Sequence, residues 1–401
     1  MACVVLRDRQ VHRRAIADTY AARVTTRRTL FRRVGFGLVL APALSAFGFG
    51  AARTVVAKTT VKTRAHDRTQ EIDGEAVYLI PFPASHAAVY WEGDPEAAVT
   101  AAFSSDGTTF GPPVRVAQDE IGAYRRDGRT YAALMRTEKA VAVRVAADRN
   151  LRSVSVLAMA DGERVVSYDF IDQIATAVTM PPVISRAGWG CDESLMTWKP
   201  EFYPVQKLIC HHTATQNNDP DPAATMRSIY YYHAVTQGWG DIGYNFLVDE
   251  AGRIYEGRYS RVYAAGEYPT GESVAGNGVT AAHAYQYNSG TVGIALLGTL
   301  TAKDTTAAGR TAIEKMLAWK AATHNIDANG RTTYVNPVTN VATTFANIAG
   351  HRDVVATECP GGGFYATLPT VRNDVAALVA GSPPPTNTPT PTPTPRRKPK
   401  P

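Results

Sequence analysis

"VQKLICHHTATQNNDPDPAATMRSIYYYHAVTQ", residues 205–237, holds a short apolar run, a polar break and a helical repeat in succession. "VQKLIC" has the content of a buried strand and stops on His211 and His212. After the break, Asp221 and Pro222 supply a capping residue and a first-turn proline, and helical apolar spacing follows. Downstream, "YNFLVDEAGRIYEGR" reads as two strands around an Asp-Glu-Ala-Gly turn, and "SGTVGIALLG" as a buried strand. "AAGRTAIEKMLAWKAATHN" reads as an amphipathic helix and "PTVRNDVAALVA" as a final one. Strands and helices interleave, so residues 182–380 are expected to form an α/β domain with a mixed central β-sheet flanked by helices.

Upstream the pattern changes. From residue 73 to about 175, short β-branched runs such as "AVYLIPF", "AVAVRVAA" and "SVSVLAMA" alternate with turn signals such as "GDPE" and "SSDGTTFGPP". Short strands with no helix between them predict a β-sandwich-like domain, in which Trp91 reads as core. Residues 53–72 are polar, basic and aperiodic and read as a linker. Residues 381–401, a Pro/Thr repeat, read as an extended, disordered spacer tail.

The net charge of +6 looks like a signature of nucleic-acid binding until it is located. Residues 1–52 hold nine arginines against Asp8 and Asp18, and residues 382–401 hold four bases and no acid, so the stretch between them carries −5. The body of the chain therefore has no basic face for nucleic acid. Residues 1–52 have the layout of an export signal: basic residues, an apolar run from Val34 to Phe49, then small residues. Thr26-Arg27-Arg28-Thr29-Leu30-Phe31-Arg32 resembles a twin-arginine signal, which implies a secreted or cell-wall location with no membrane association once the signal is removed. A retained membrane anchor is the alternative. Outside that region stand three cysteines, an odd number, which suggests one pair and one separate thiol. Cys191 and Cys210 are the candidate disulfide, leaving Cys359.

Adjacent residues of a strand point to opposite faces, so His211 and His212 cannot both address one site from regular geometry. In "GHRDVVATECPGGG", His351 precedes Cys359 by eight positions within a Pro/Gly-rich loop that can fold both side chains onto one point. Two imidazoles and one thiolate would make a zinc site with a fourth position left for water. Such an ion acts as a Lewis acid and lowers the pKa of bound water.

"SRAGWG", "ICHHTAT", "GWGDIGYNFLVDEAGRIYEGR", "AAHAYQYNSGTVGIALLG" and "GHRDVVATECPGG" occur in an order similar to that of the zinc-dependent N-acetylmuramoyl-L-alanine amidases (amidase type 2) and peptidoglycan recognition proteins. The likeness covers about residues 183–379, half the chain. It implies an exported hydrolase that cleaves the amide between N-acetylmuramic acid and L-alanine with zinc-activated water, acting on peptidoglycan as a monomer. His211, His351 and Cys359 match the zinc ligands. Tyr244 matches the tyrosine beside the scissile carbonyl. Thr357 stands where phage enzymes carry lysine and the recognition branch carries threonine, so stabilisation of the oxyanion would rest on zinc and Tyr244, assisted by Thr357. His212, His233, His283, Tyr285 and Asn288 match positions lining the muropeptide cleft, with stabilisation of the strand end as the alternative for His212. The alternative from another class is a recognition module that binds peptidoglycan without cutting it; such binders typically lack the cysteine ligand, which is present here as Cys359.

Overall fold

The computed structural model describes residues 61–119, 128–160, 178–264 and 266–381. The signal region, residues 53–60 of the expected linker, residues 120–127 and 161–175 of the expected β-rich domain, and the Pro/Thr tail from residue 382 lie outside the described residues. Among those described, no helix is long and apolar enough to cross a membrane.

The β-rich part contains β1 (Arg64–Ile72), β2 (Glu75–Glu92), β3 (Val99–Ser104), β4 (Val114–Arg115), β5 (Arg129–Tyr131), β6 (Met135–Ala147) and β7 (Leu151–Ala160). They form one connected antiparallel sheet in the order β1-β7-β2-β6-β3-β4, with β5 on β2. The 18-residue β2 passes through register shifts between Leu79 and His86, pairing first with β6 and then also with β7. Tyr78, Val89, Trp91, Val143, Val154 and Val156 meet in one core, so the sheet folds round its own centre, and Trp91 is core as expected. One reading is corrected: residues 64–72, expected as linker, form β1. Its sequence RAHDRTQEI lacks alternation because it is an edge strand, bonded along one side to β7 and largely exposed.

The α/β part contains β8 (Val183–Ile184), β9 (Phe202–Tyr203), β10 (Lys207–His212), α1 (Pro222–Tyr231), β11 (Phe246–Val248), β12 (Ile254–Glu256), β13 (Gly278–Val279), β14 (Thr291–Leu296), α2 (Ala307–Thr323), β15 (Arg331–Val335), β16 (Ala342–Ala346), β17 (Ile348–Gly350) and α3 (Gly362–Val379). Six strands form the central sheet in the order β17-β10-β14-β11-β12-β8. The β17-β10-β14-β11 pairs and β12-β8 are parallel while β11 and β12 form an antiparallel hairpin, so the sheet is mixed. Helix α1 begins where Asp221 accepts a hydrogen bond from Ala224 N–H, with Pro222 as its first residue. Helix α3 starts seven residues before the Pro369 expected to open it.

The two faces of the sheet carry separate cores. Leu208, Cys210, Phe246 and Ile294 pack with Ile313 and Leu317 of α2 and Leu368 and Val371 of α3. On the other face, Leu247, Tyr255 and Ala295 pack with Trp189, Cys191 and the α1 residues Met226 and Ile229. This separation removes the expected disulfide: Cys191 and Cys210 sit in cores on opposite faces of the sheet, and both thiols are free. The second core also takes in Ala88, Tyr90, Tyr131, Leu134, Leu157 and Met159 from the β-rich part. The regions expected as two domains thus share buried apolar surface across α1.

Candidate metal centre

The site forms at the carboxyl ends of parallel strands, where loops diverge and leave a crevice. Strands β10 and β17 are neighbours with Cys210 opposite Gly350, so the residues that follow, His211 and His351, emerge side by side. Their rings lie 4.6 Å apart. His351 opens a short turn in which Asp353 accepts the Gly350 N–H at 2.9 Å. The chain then loops back, closed by Arg352 N–H donating to Cys359 O at 2.9 Å and Cys359 N–H donating to Thr357 Oγ1 at 3.2 Å. This loop delivers Cys359 Sγ to 3.6 Å from His211 Nδ1.

The ligand atoms of His211, His351 and Cys359 all lie within 4.8 Å of one another, and all three residues are buried. A tetrahedral zinc site spaces nitrogen and sulfur donors about 3.3–3.6 Å apart, so the cysteine–histidine pair already has that spacing and the third residue needs little movement. The donor chemistry also fits. Burial, then the neighbouring His351, His283 and His212, holds His211 well below the usual imidazole range, in the neutral form that binds a metal. The His212 backbone N–H donates to Cys359 Sγ at 3.4 Å, which holds the sulfur at the cluster. Among the described residues these three form the cluster able to hold a metal ion.

Behind the centre runs a relay that the sequence did not reveal. With Nδ1 turned to Cys359, His211 Nε2–H donates to His283 Nδ1 at 3.0 Å, and His283 Nε2–H donates to Thr291 Oγ1 at 3.1 Å. Expected in the cleft lining, His283 is instead wholly buried, and burial pulls its imidazole down to about 3. Its ring lies over Gly293, where a Cβ would come within 2.3 Å. A glycine inside the strand "TVGIAL" was the available signal of that close approach.

The other expected residues divide. Tyr244 stands beside His211, ring centres 5.5 Å apart, and its hydroxyl donates to His212 O at 3.3 Å. His233 lies 4.6 Å from Trp239 and accepts the Gly243 N–H on Nδ1 at 3.1 Å. It faces a recess that also touches Tyr244. Tyr285 is exposed beyond the relay. Asn288 accepts the Ala284 N–H at 2.7 Å and so braces its own loop. His212 departs from the cleft reading: its side chain is buried on the α2/α3 face, where Nδ1 accepts the Leu300 N–H at 3.0 Å. Alternation along β10 is the reason, and it leaves one histidine of the pair for the metal cluster and one for the frame.

The family described as N-acetylmuramoyl-L-alanine amidase matches residues 201–362, which include the metal cluster and Tyr244. The chain is 30% identical over 201 residues to peptidoglycan-recognition protein SC2 of Drosophila melanogaster, covering 50% of this chain and 91% of that one. It is 30% identical over 202 residues to peptidoglycan-recognition protein LB of the same fly, covering 49% and 70%. It is 32% identical over 198 residues to a human N-acetylmuramoyl-L-alanine amidase, covering 47% of this chain and 28% of that longer protein. On these matches, the chain belongs to the family of N-acetylmuramoyl-L-alanine amidases and peptidoglycan-recognition proteins.

Proposed function

We propose that this protein is an exported N-acetylmuramoyl-L-alanine amidase acting on peptidoglycan. The observation that carries this reading is the third donor: Cys359 Sγ stands 3.6 Å from His211 Nδ1, completing a two-imidazole, one-thiol set in place of a bare groove. A zinc ion held by His211, His351 and Cys359 would supply Lewis acidity toward water and the scissile carbonyl. The twin-arginine-like segment and the Pro/Thr spacer suit a substrate outside the membrane.

Hydrolysis adds the oxygen of water to the lactyl carbonyl carbon, breaks its C–N bond, and leaves a lactyl carboxylate and the α-amine of L-alanine. The chain's own groups have definite parts in this. Tyr244, its ring beside His211, can turn its hydroxyl from His212 O to the carbonyl oxygen as negative charge develops there. Thr357 Oγ1 accepts the Cys359 N–H at 3.2 Å, so it stands in the loop that carries the cysteine, and by the family likeness its hydroxyl would assist Tyr244 at the oxyanion. His283 keeps the proton of His211 on Nε2 and leaves Nδ1 facing the cluster.

The test is release of soluble stem peptide from purified sacculi, with and without a chelator. Peptide release that stops on chelation and returns with zinc is the expected result. Binding of sacculi without any release would instead make the protein a recognition module. Retained activity in a metal-free preparation would end the reading.

A further inference from the structure

We propose that Asp119, supplied by the β-rich part, is a positioning residue for Tyr244: it pins the turn that follows α1, and through His233 that turn holds the backbone on which Tyr244 stands. This rests on the reading of Tyr244 as a donor to the developing oxyanion. Asp119 itself lies outside the family match at residues 201–362.

The stretch that delivers Tyr244 has little regular structure to hold it. Between Thr236 and the start of β11 at Phe246, the chain "QGWGDIGYN" carries three glycines and runs through bends without helix or strand bonding. Side chains brace it instead. Arg186 and Arg258 clamp Asp241 at 2.9 and 2.6 Å, and Gly243, the residue before Tyr244, donates its N–H to His233 Nδ1 at 3.1 Å. The place of His233 is set in turn by a widened turn, Tyr232–Thr236, closed by Gln237 N–H donating to Tyr232 O at 2.8 Å. Such π-type turns are rare and recur at functional sites. Here the outside support comes from the β-rich part: Gln237 Nε2 donates to Asp119 Oδ2 at 2.6 Å, and the same oxygen lies 3.9 Å from His233 Nε2. With Nδ1 accepting from Gly243, His233 carries its hydrogen on Nε2, the atom turned toward that carboxylate.

Asp119 is well placed to act as an anchor. Its N–H donates to Tyr131 O at 2.8 Å, and the neighbouring Gln118 bridges to Ala132, whose carbonyl accepts the Tyr232 hydroxyl at 2.8 Å. Its side chain is only 11% exposed, so it works within the protein and not on substrate. A shift of the turn therefore passes through one hydrogen bond to the backbone of Tyr244, whose ring stands 5.5 Å from that of His211.

The experiment uses the full chain, a soluble muramyl tripeptide as substrate, and the variants Asp119→Ala and Asp119→Asn. Misplacing a catalytic group by about 1 Å can cost 10²-fold, so Asp119→Ala should lower kcat about 10- to 100-fold with KM and bound zinc unchanged. Asp119→Asn, which keeps an acceptor for Gln237, should restore most of the rate. In a Tyr244→Phe background the alanine change should cost no more than about twofold, because the hydroxyl it positions is gone. Hydrogen exchange of the Gly243 amide should quicken about 2- to 10-fold in Asp119→Ala, the worth of one hydrogen bond. If that variant does not fold, Gln237→Ala removes the same contact from the other side and should give the same pattern. Equal losses in both backgrounds, or a folded variant in which kcat or Gly243 exchange is unchanged, would overturn the inference. A wild-type protein that binds the tripeptide and never cleaves it would sink the amidase reading, and Gly243 exchange would then decide the positional claim by itself.

Discussion

Each residue of the centre answers to a different measurement. Cys359→Ala should reduce bound zinc from one equivalent to almost none and abolish peptide release, since two imidazoles alone hold the ion weakly. Tyr244→Phe should keep the zinc and lower kcat by about 10²–10³, the usual cost of losing one preorganised donor. His283→Ala should weaken zinc binding by about 10- to 100-fold in a chelator competition, because His211 loses the partner that fixes its tautomer. Gly293→Ala should act in the same direction, as its Cβ would occupy the place of the His283 ring. A zinc affinity unchanged in both variants would reduce the relay to packing. At this scale the sequence was informative about chemistry and poor about facing: the donor types could be read from "HH" and "HRDVVATEC", but not that His283 turns inward while Tyr285 turns out.

Among the elements, α1 is where the two parts of the molecule meet. Met226→Ala should cost about 2–5 kcal/mol in urea unfolding, because that side chain is fully enclosed. His86 of β2 donates or accepts across the same contact, its Nε2 2.9 Å from Thr225 Oγ1 on α1. Burial first, then Arg136 and Arg227, pull its imidazole down to about 3. The unfolded chain binds that proton near pH 6.5, so this contribution is complete above 6.5 and is lost as pH falls toward 3. The loss from one such histidine is at most about 1.4 kcal/mol per pH unit. His233 and His283, also held near 3, act with the same sign. The urea midpoint should therefore fall between pH 7.5 and 5.5, and fall less in His86→Gln; an equal fall would place the effect elsewhere. Capping and periodicity made α1 legible in advance, whereas β1 was missed because an edge strand needs no alternation.

For the whole molecule, the shared core has a consequence for truncation. A chain beginning at residue 178 would bare the apolar flank of α1 that meets Tyr131, Leu134 and Leu157. It should melt at lower temperature than the full chain and self-associate in size-exclusion chromatography; an equally stable monomer would show that the docking adds little.

Sequence alone determined the principal strands and helices of the α/β part, the donor types of the metal cluster and the family, because these depend on local pattern and on motifs carried within short stretches. The tertiary structure decided what depends on register and on segments far apart in the chain. It set Cys210 opposite Gly350 so that His211 and His351 emerge together, placed Cys191 and Cys210 on opposite faces of one sheet, and brought Asp119 and Leu134 beside Tyr244. No local propensity encodes such meetings; they follow from how buried surfaces of distant segments fit one another.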